Sequence, residues 1–70
     1  MRDLAKEVGK LVRNTRKAKG FSQEHLADLA DIDRSYMGRI ERGEVNVTVK
    51  ALWEISRALS VPLVNLIPRG

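Results

Sequence analysis

Apolar residues recur along this chain at helical intervals. Leu4, Val8, Leu11, Val12 and Thr15 stand at i, i+4, i+7, i+8 and i+11, the stripe of one helical face. Nowhere do apolar and polar residues alternate over a useful length, so no strand is predicted. The first stripe ends in Lys17, Lys19 and Gly20: cations in the last turn, then a residue free to turn left-handed. Three later segments share one start signal. An apolar residue precedes a capping residue, and a second apolar residue follows five positions after the first. Phe21-Ser22 leads to Leu26, Ile32-Asp33 to Met37, and Val47-Thr48 to Leu52. Each combines an N-cap oxygen with a hydrophobic staple, which fixes the angle at which the chain enters the helix. Val61 to Leu66 repeats the spacing with Pro62 in the cap position, where a missing N–H costs nothing.

The pattern predicts helices near 4–19, 23–30, 34–42, 49–59 and 62–67 and an all-α fold. The predicted core is Leu11, Val12, Leu26, Ala27, Ala30, Ile32, Met37, Ile40, Leu52, Ile55, Leu59 and Val61. Residues 1–70 read as one domain without linker or low-complexity tract. A domain of 70 residues buries only about 60% of its unfolded surface. With no Cys to staple it, helix packing or oligomerisation must compensate. No apolar run reaches the roughly 18 residues of a membrane span, and Met1 to Lys10 holds no signal-peptide core. A soluble, cytoplasmic protein without a membrane role is expected.

Charge sharpens the picture. Thirteen bases against nine acids give a net charge of +4, which favours an anionic partner such as nucleic acid or an acidic protein. Residues 1–20 hold Arg2, Lys6, Lys10, Arg13, Arg16, Lys17 and Lys19 against only Asp3 and Glu7. A basic helix by itself is equally a solvated surface.

The second and third helices carry the informative chemistry. They are joined by about three residues, and the small Ala27 lets them approach closely. Ile32, Met37 and Ile40 would bury one side of the third helix. The other side presents Arg34, Ser35, Gly38, Arg39 and Arg42. Arg donates bidentately to the major-groove edge of guanine and Ser bonds to several bases. A bare Gly38 would let the helix sit close to the groove.

These residues identify a resemblance. Arg13, Arg16 and Gly20, then Ser22-Gln23-Glu24, Leu26-Ala27, Ile40-Glu41-Arg42-Gly43, Asn46, Leu52, Ile55 and Ala58-Leu59 with Val61 resemble the Cro/CI-type (XRE, lambda-repressor-like) helix-turn-helix family. The likeness covers residues 8 to 67. Asp33-Arg34-Ser35-Tyr36 with Ile40-Glu41-Arg42-Gly43 and Asn46 is similar to controller proteins of restriction–modification systems. The resemblance implies a compact five-helix domain whose third helix enters the major groove of double-stranded DNA, and a homodimer on a palindromic operator. It implies base readout by Arg34, Ser35 and Arg39, and phosphate contacts from Ser22, Gln23, Arg42 and Asn46. It also implies a semi-buried ion pair between Arg16 and Glu41. An antitoxin-like protein-interaction module on the same fold is the alternative function.

Asp31 departs from the family by standing in the turn where Gly is usual, at a cost of about 1 kcal/mol. Val47 replaces a common Pro and Ser56 a common Ala. Tyr36 is open between a phosphate contact and core-edge packing, and Trp53 between core edge and subunit contact. His25, without Cys or a second His, reads as an exposed helical residue and not as a metal ligand. No cofactor, effector or catalytic set is visible, so no enzyme is expected. Leu63, Val64, Leu66 and Ile67 exceed what one terminal helix buries on one side. Leu63 and Leu66 are expected to close the core. Val64, Ile67 and Pro68 are expected to line the two-fold interface.

Overall fold

The computed structural model describes all residues, 1–70, and contains no strand. Four α-helices follow in order: α1 (Leu4–Ala18), α2 (Gln23–Ala30), α3 (Arg34–Glu41) and α4 (Val49–Leu59), with a 3-10 turn at Leu63–Leu66. No helix is long and apolar enough to cross a membrane.

Side chains start every helix. Asp3, Ser22, Asp33 and Thr48 accept from the backbone N–H groups of Lys6, His25, Tyr36 and Ala51. Each oxygen satisfies one of the donors that a helix start leaves unpaired. One backbone device ends every helix. The N–H groups of Phe21, Ile32, Glu44 and Val61 donate back to the carbonyls of Arg16, Ala27, Arg39 and Ser56. The residue before each donor is left-handed: Gly20, Asp31, Gly43 and Ser60, with φ of 76, 56, 71 and 57°. Asp31 and Ser60 hold this conformation with a Cβ, at a cost of about 1–2 kcal/mol each.

Capped ends and short turns stack α1 on α3 and α2 on α4 around one core. Val12, Leu26, Ala27, Ala30, Met37, Ile40, Leu52, Ile55, Leu59 and Leu66 are buried there. The staple residues Phe21, Ile32 and Val47 pack against this cluster, which fixes the direction of each following helix. Leu11, Ile32 and Val61, expected inside, lie half-buried at its margin, and Leu4 is 56% exposed beyond the end of the α1 stripe. Ser56 is buried but donates to the Trp53 carbonyl at 2.7 Å, so no polar side-chain atom is buried without a partner.

The fifth helix is a correction. Residues 62–67 form only the 3-10 turn Leu63–Leu66, with i to i+3 bonds from Asn65 to the Pro62 carbonyl and from Ile67 to that of Val64. Pro62 and Pro68 bracket it, and a residue before Pro avoids the α region, so no room remains for an α-helix. Leu66 closes the core as expected, and Leu63 packs half-buried against it.

α1 crosses α3 at Gly9, which is buried. A Cβ built there would lie against the carbonyl oxygen of Ile40 and 2.6 Å from that of Glu41. Only a residue without a side chain allows this approach. The crossing fixes the C-terminal end of α3 against α1 and turns its opposite face outward.

Candidate nucleic-acid interface

The outward face follows from helical phase. At 100° per residue, Arg34, Ser35, Gly38, Arg39 and Arg42 fall within roughly 140° of arc. Met37, Ile40 and Glu41 occupy the rest and are buried. Arg34, Ser35 and Arg39 are exposed. Arg39 has no carboxylate within ion-pair distance. Arg34 meets Glu24 in the first turn of α2 at 3.0 Å, with both side chains more than 60% exposed. This contact bridges the starts of α2 and α3.

At the edge of the face lies a polar clamp. The Arg16 Nε and Nη2 donate to Glu41 at 2.7 and 3.0 Å, and Nη1 donates to the Phe21 carbonyl at 2.9 Å. Gln23 Nε2 donates to the same carboxylate at 3.2 Å. One carboxylate thus ties α1, the start of α2 and the end of α3. The Arg16 and Glu41 side chains are only 12% and 3% exposed. The bond to Glu41 pushes the Arg16 pKa further up, against desolvation, which lowers it.

The expected phosphate ligands take distinct positions. Ser22 spends its hydroxyl oxygen on the helix cap, accepting from His25 N–H at 3.0 Å. The backbone N–H groups that open α2 stand beside it. Gln23 is half-buried by its bond to Glu41. Arg42 lies just past α3 and donates through Nε and Nη2 to Glu44 at 2.8 and 3.3 Å. Asn46 is exposed between Val45 and Val47, whose half-buried side chains pack on the core. Residues 44–48 alternate for only this short stretch, which forms no strand but leaves Glu44, Asn46 and Thr48 exposed. Gly43 brings this loop onto α1, since a Cβ there would meet Lys6 backbone at 2.6 Å.

Gly38 corrects the sequence reading. It is buried, not bare: a Cβ on it would stand 3.0 Å from Arg42 Nη1 and 3.3 Å from Gln23 Oε1. The helix phase placed it on the outward face, but two long side chains fold over it. Glu24 and Glu44, which pair with Arg34 and Arg42, were not singled out from the sequence. Glu44 stands two residues after Arg42, a usable signal in a turn, whereas nothing local links Glu24 to Arg34. Tyr36 is half-buried against the core, and His25 is exposed with Phe21 edge-on at 4.8 Å. Trp53 is 44% exposed, with the Arg57 guanidinium 4.9 Å from its ring centroid.

The candidate interface residues Val64 and Ile67 are 70% and 43% exposed, and Pro68 is half-buried. With Lys10, Leu11 and Asn14 of α1 they line a shallow groove.

Two short helices held at a fixed angle by a left-handed turn, the second showing a basic outer face, define a helix-turn-helix protein. The sequence model of the helix-turn-helix family matches residues 12–66, and the chain belongs to that family. It is 34% identical over 67 residues to control protein C.SmaI of Serratia marcescens, covering 96% of this chain and 80% of that protein. It is 33% identical over 67 residues to the transcriptional regulator SutR of Escherichia coli K12, but spans only 38% of that longer protein. The crystal structure of the restriction–modification controller protein C.AhdI from Aeromonas hydrophila superposes with a TM-score of 0.88 at 40% identity, covering 90% of this chain and 96% of that one.

Proposed function

We propose that residues 1–70 form a transcriptional regulator that reads double-stranded DNA as a homodimer on a palindromic operator. The observation that carries this reading is the outward face of α3: Arg34, Ser35 and Arg39 exposed together on a helix clamped to α1 by Arg16 and Glu41. Arg34, Ser35 and Arg39 contact base edges in the major groove. The start of α2 at Ser22 and Gln23, with Arg42 and Asn46, holds backbone phosphates and sets the register. The kinship with control proteins supports the same assignment.

One copy measures 33 Å in its longest dimension and carries one such face. Successive major grooves on one side of B-DNA lie about 34 Å apart, so a second groove requires a second copy. Val64, Ile67 and Pro68 supply the two-fold contact.

Selection of bound duplexes from a random pool tests the reading. The expected result is a palindromic site with half-site centres about 10 base pairs apart. No enriched sequence, together with a stable complex with another protein, would instead support the protein-interaction alternative.

A further inference from the structure

The Arg42 guanidinium is already occupied by an anion. Glu44 accepts from Nε at 2.8 Å and from Nη2 at 3.3 Å, so two acceptor oxygens face the fork as two phosphate oxygens would. The pairing is positioned by the fold. The Glu44 backbone N–H donates to the Arg39 carbonyl at 2.9 Å, which closes α3 and fixes the loop. Val45 next to it is anchored against the core. On the other side, Gly38 gives the guanidinium its seat, with Nη1 3.0 Å from where a Cβ would stand. Both side chains are more than half exposed, so the site opens to solvent on the side of the α3 face. The charge of Arg39 also acts on Glu44, whose carboxyl lies below its usual range because of the Arg42 hydrogen bond first and both arginine charges after it.

We infer that Glu44 is an internal stand-in for a DNA phosphate: its carboxylate fills the Arg42 fork in the free protein and must leave before the backbone of the duplex can bind there. This inference rests on the DNA-binding reading above. Glu44 then acts as a brake on affinity. Each complex pays for opening the Arg42–Glu44 pair and for the repulsion between Glu44 and the incoming phosphate. The brake is independent of base sequence, since phosphate carries none. It would limit the time the protein spends on non-operator DNA, where affinity comes from phosphate neutralisation alone.

The test uses the full chain and two fluorescent duplexes, the selected operator and a scrambled sequence of equal length, titrated at several salt concentrations. Glu44→Gln keeps the side-chain shape and removes the charge. It should tighten binding to both duplexes by a similar factor, about fivefold, the scale of one exposed ion pair. The slope of log affinity against log salt should steepen by about 0.9, because no freed carboxylate then takes up a cation when Arg42 turns to the phosphate. In an Arg42→Gln background the same Glu44→Gln change should give less than half of that gain. Circular dichroism of each variant establishes that it is folded.

An unchanged affinity in Glu44→Gln would overturn the inference, and so would an equal gain in the Arg42→Gln background, which would reduce Glu44 to one charge among many. A gain confined to the operator would also overturn it. If the wild-type chain binds neither duplex, the DNA reading itself fails, and that result is separate from the others.

Discussion

Arg16 and Glu41 join α1 to α3 through two parallel hydrogen bonds, and both side chains are withdrawn from water. The pair stands at the edge of the outward face of α3, next to Arg34 in helical phase. Its value to folding is not the sum of its bonds, because both charges were desolvated to form it. Removing one partner is the costly change. Glu41→Gln should lower stability by about 3 kcal/mol, the lower end of the range for a broken buried pair, because Gln keeps an acceptor. A chain of 70 residues has roughly 4–10 kcal/mol in all. Urea unfolding should show a lower midpoint at unchanged slope. A loss below about 1 kcal/mol would mean that the pair behaves as a surface contact.

Gly38 separates stability from binding. Ala in a helix interior is favoured over Gly by roughly 0.5–1 kcal/mol. The new Cβ meets only the flexible ends of Arg42 and Gln23, which yield by a few tenths of an ångström. Gly38→Ala should therefore unfold at equal or higher urea concentration. It should also bind the operator about fivefold more weakly, the loss of one contact worth about 1 kcal/mol. A variant that gains stability and keeps full affinity would show that the positions of Arg42 and Gln23 do not matter for binding.

Arg39 is exposed, and no carboxylate of its own chain pairs with it directly. Arg39→Ala should cost about 1–3 kcal/mol of operator binding and relax preference at one base pair per half-site. Competition between the operator and single-base variants reads this out. A uniform loss across all sequences would reassign Arg39 to phosphate.

What was legible in the sequence was local. Ser22, Asp33 and Thr48 announce helix starts because a cap needs one short oxygen-bearing side chain at one place. The core followed from period alone, with errors only at its rim. The Arg16–Glu41 pair, 25 residues apart, was accessible through family likeness and not through spacing. Ser60 carries no sequence signal of its left-handed backbone, whereas Asp31 stands where the family usually has Gly. Gly9 and Gly38 look alike in sequence. One is required by a backbone crossing and the other lies under two folded side chains, and only tertiary packing separates them. The five-helix expectation failed for a related reason. The four apolar residues do not say how tightly the chain will coil; the prolines on either side, which leave room for a single turn, do.

Acid should loosen two surface contacts. The hydrogen bond from Arg2 lowers the Glu7 carboxyl, as that from Arg42 lowers Glu44, both from an ordinary value of 4.5. A carboxyl depressed in the folded state stabilises above its unfolded value, and that contribution is lost as pH falls through the folded one. The melting temperature should therefore decline below pH 4.5. The decline should shrink in the Glu7→Gln, Glu44→Gln double variant and at high salt, where exposed pairs are screened. An identical acid profile in wild type and variant would place the pH dependence elsewhere.

Val64 and Ile67 present apolar surface that the monomer leaves uncovered, next to a groove that α1 lines. Leu66, between them in sequence, is fully buried, so the turn is anchored while its two neighbours face outward. Val64→Asp should then break the dimer without unfolding the chain, because it puts a charge where solvent already reaches in the monomer. Sedimentation should show dimer in the wild type at tens of micromolar and monomer in the variant, with unchanged helical circular dichroism. Operator affinity should fall far more than affinity for a single half-site, since only the paired contacts are lost. A wild type that is monomeric both free and on operator would remove this surface from the interface.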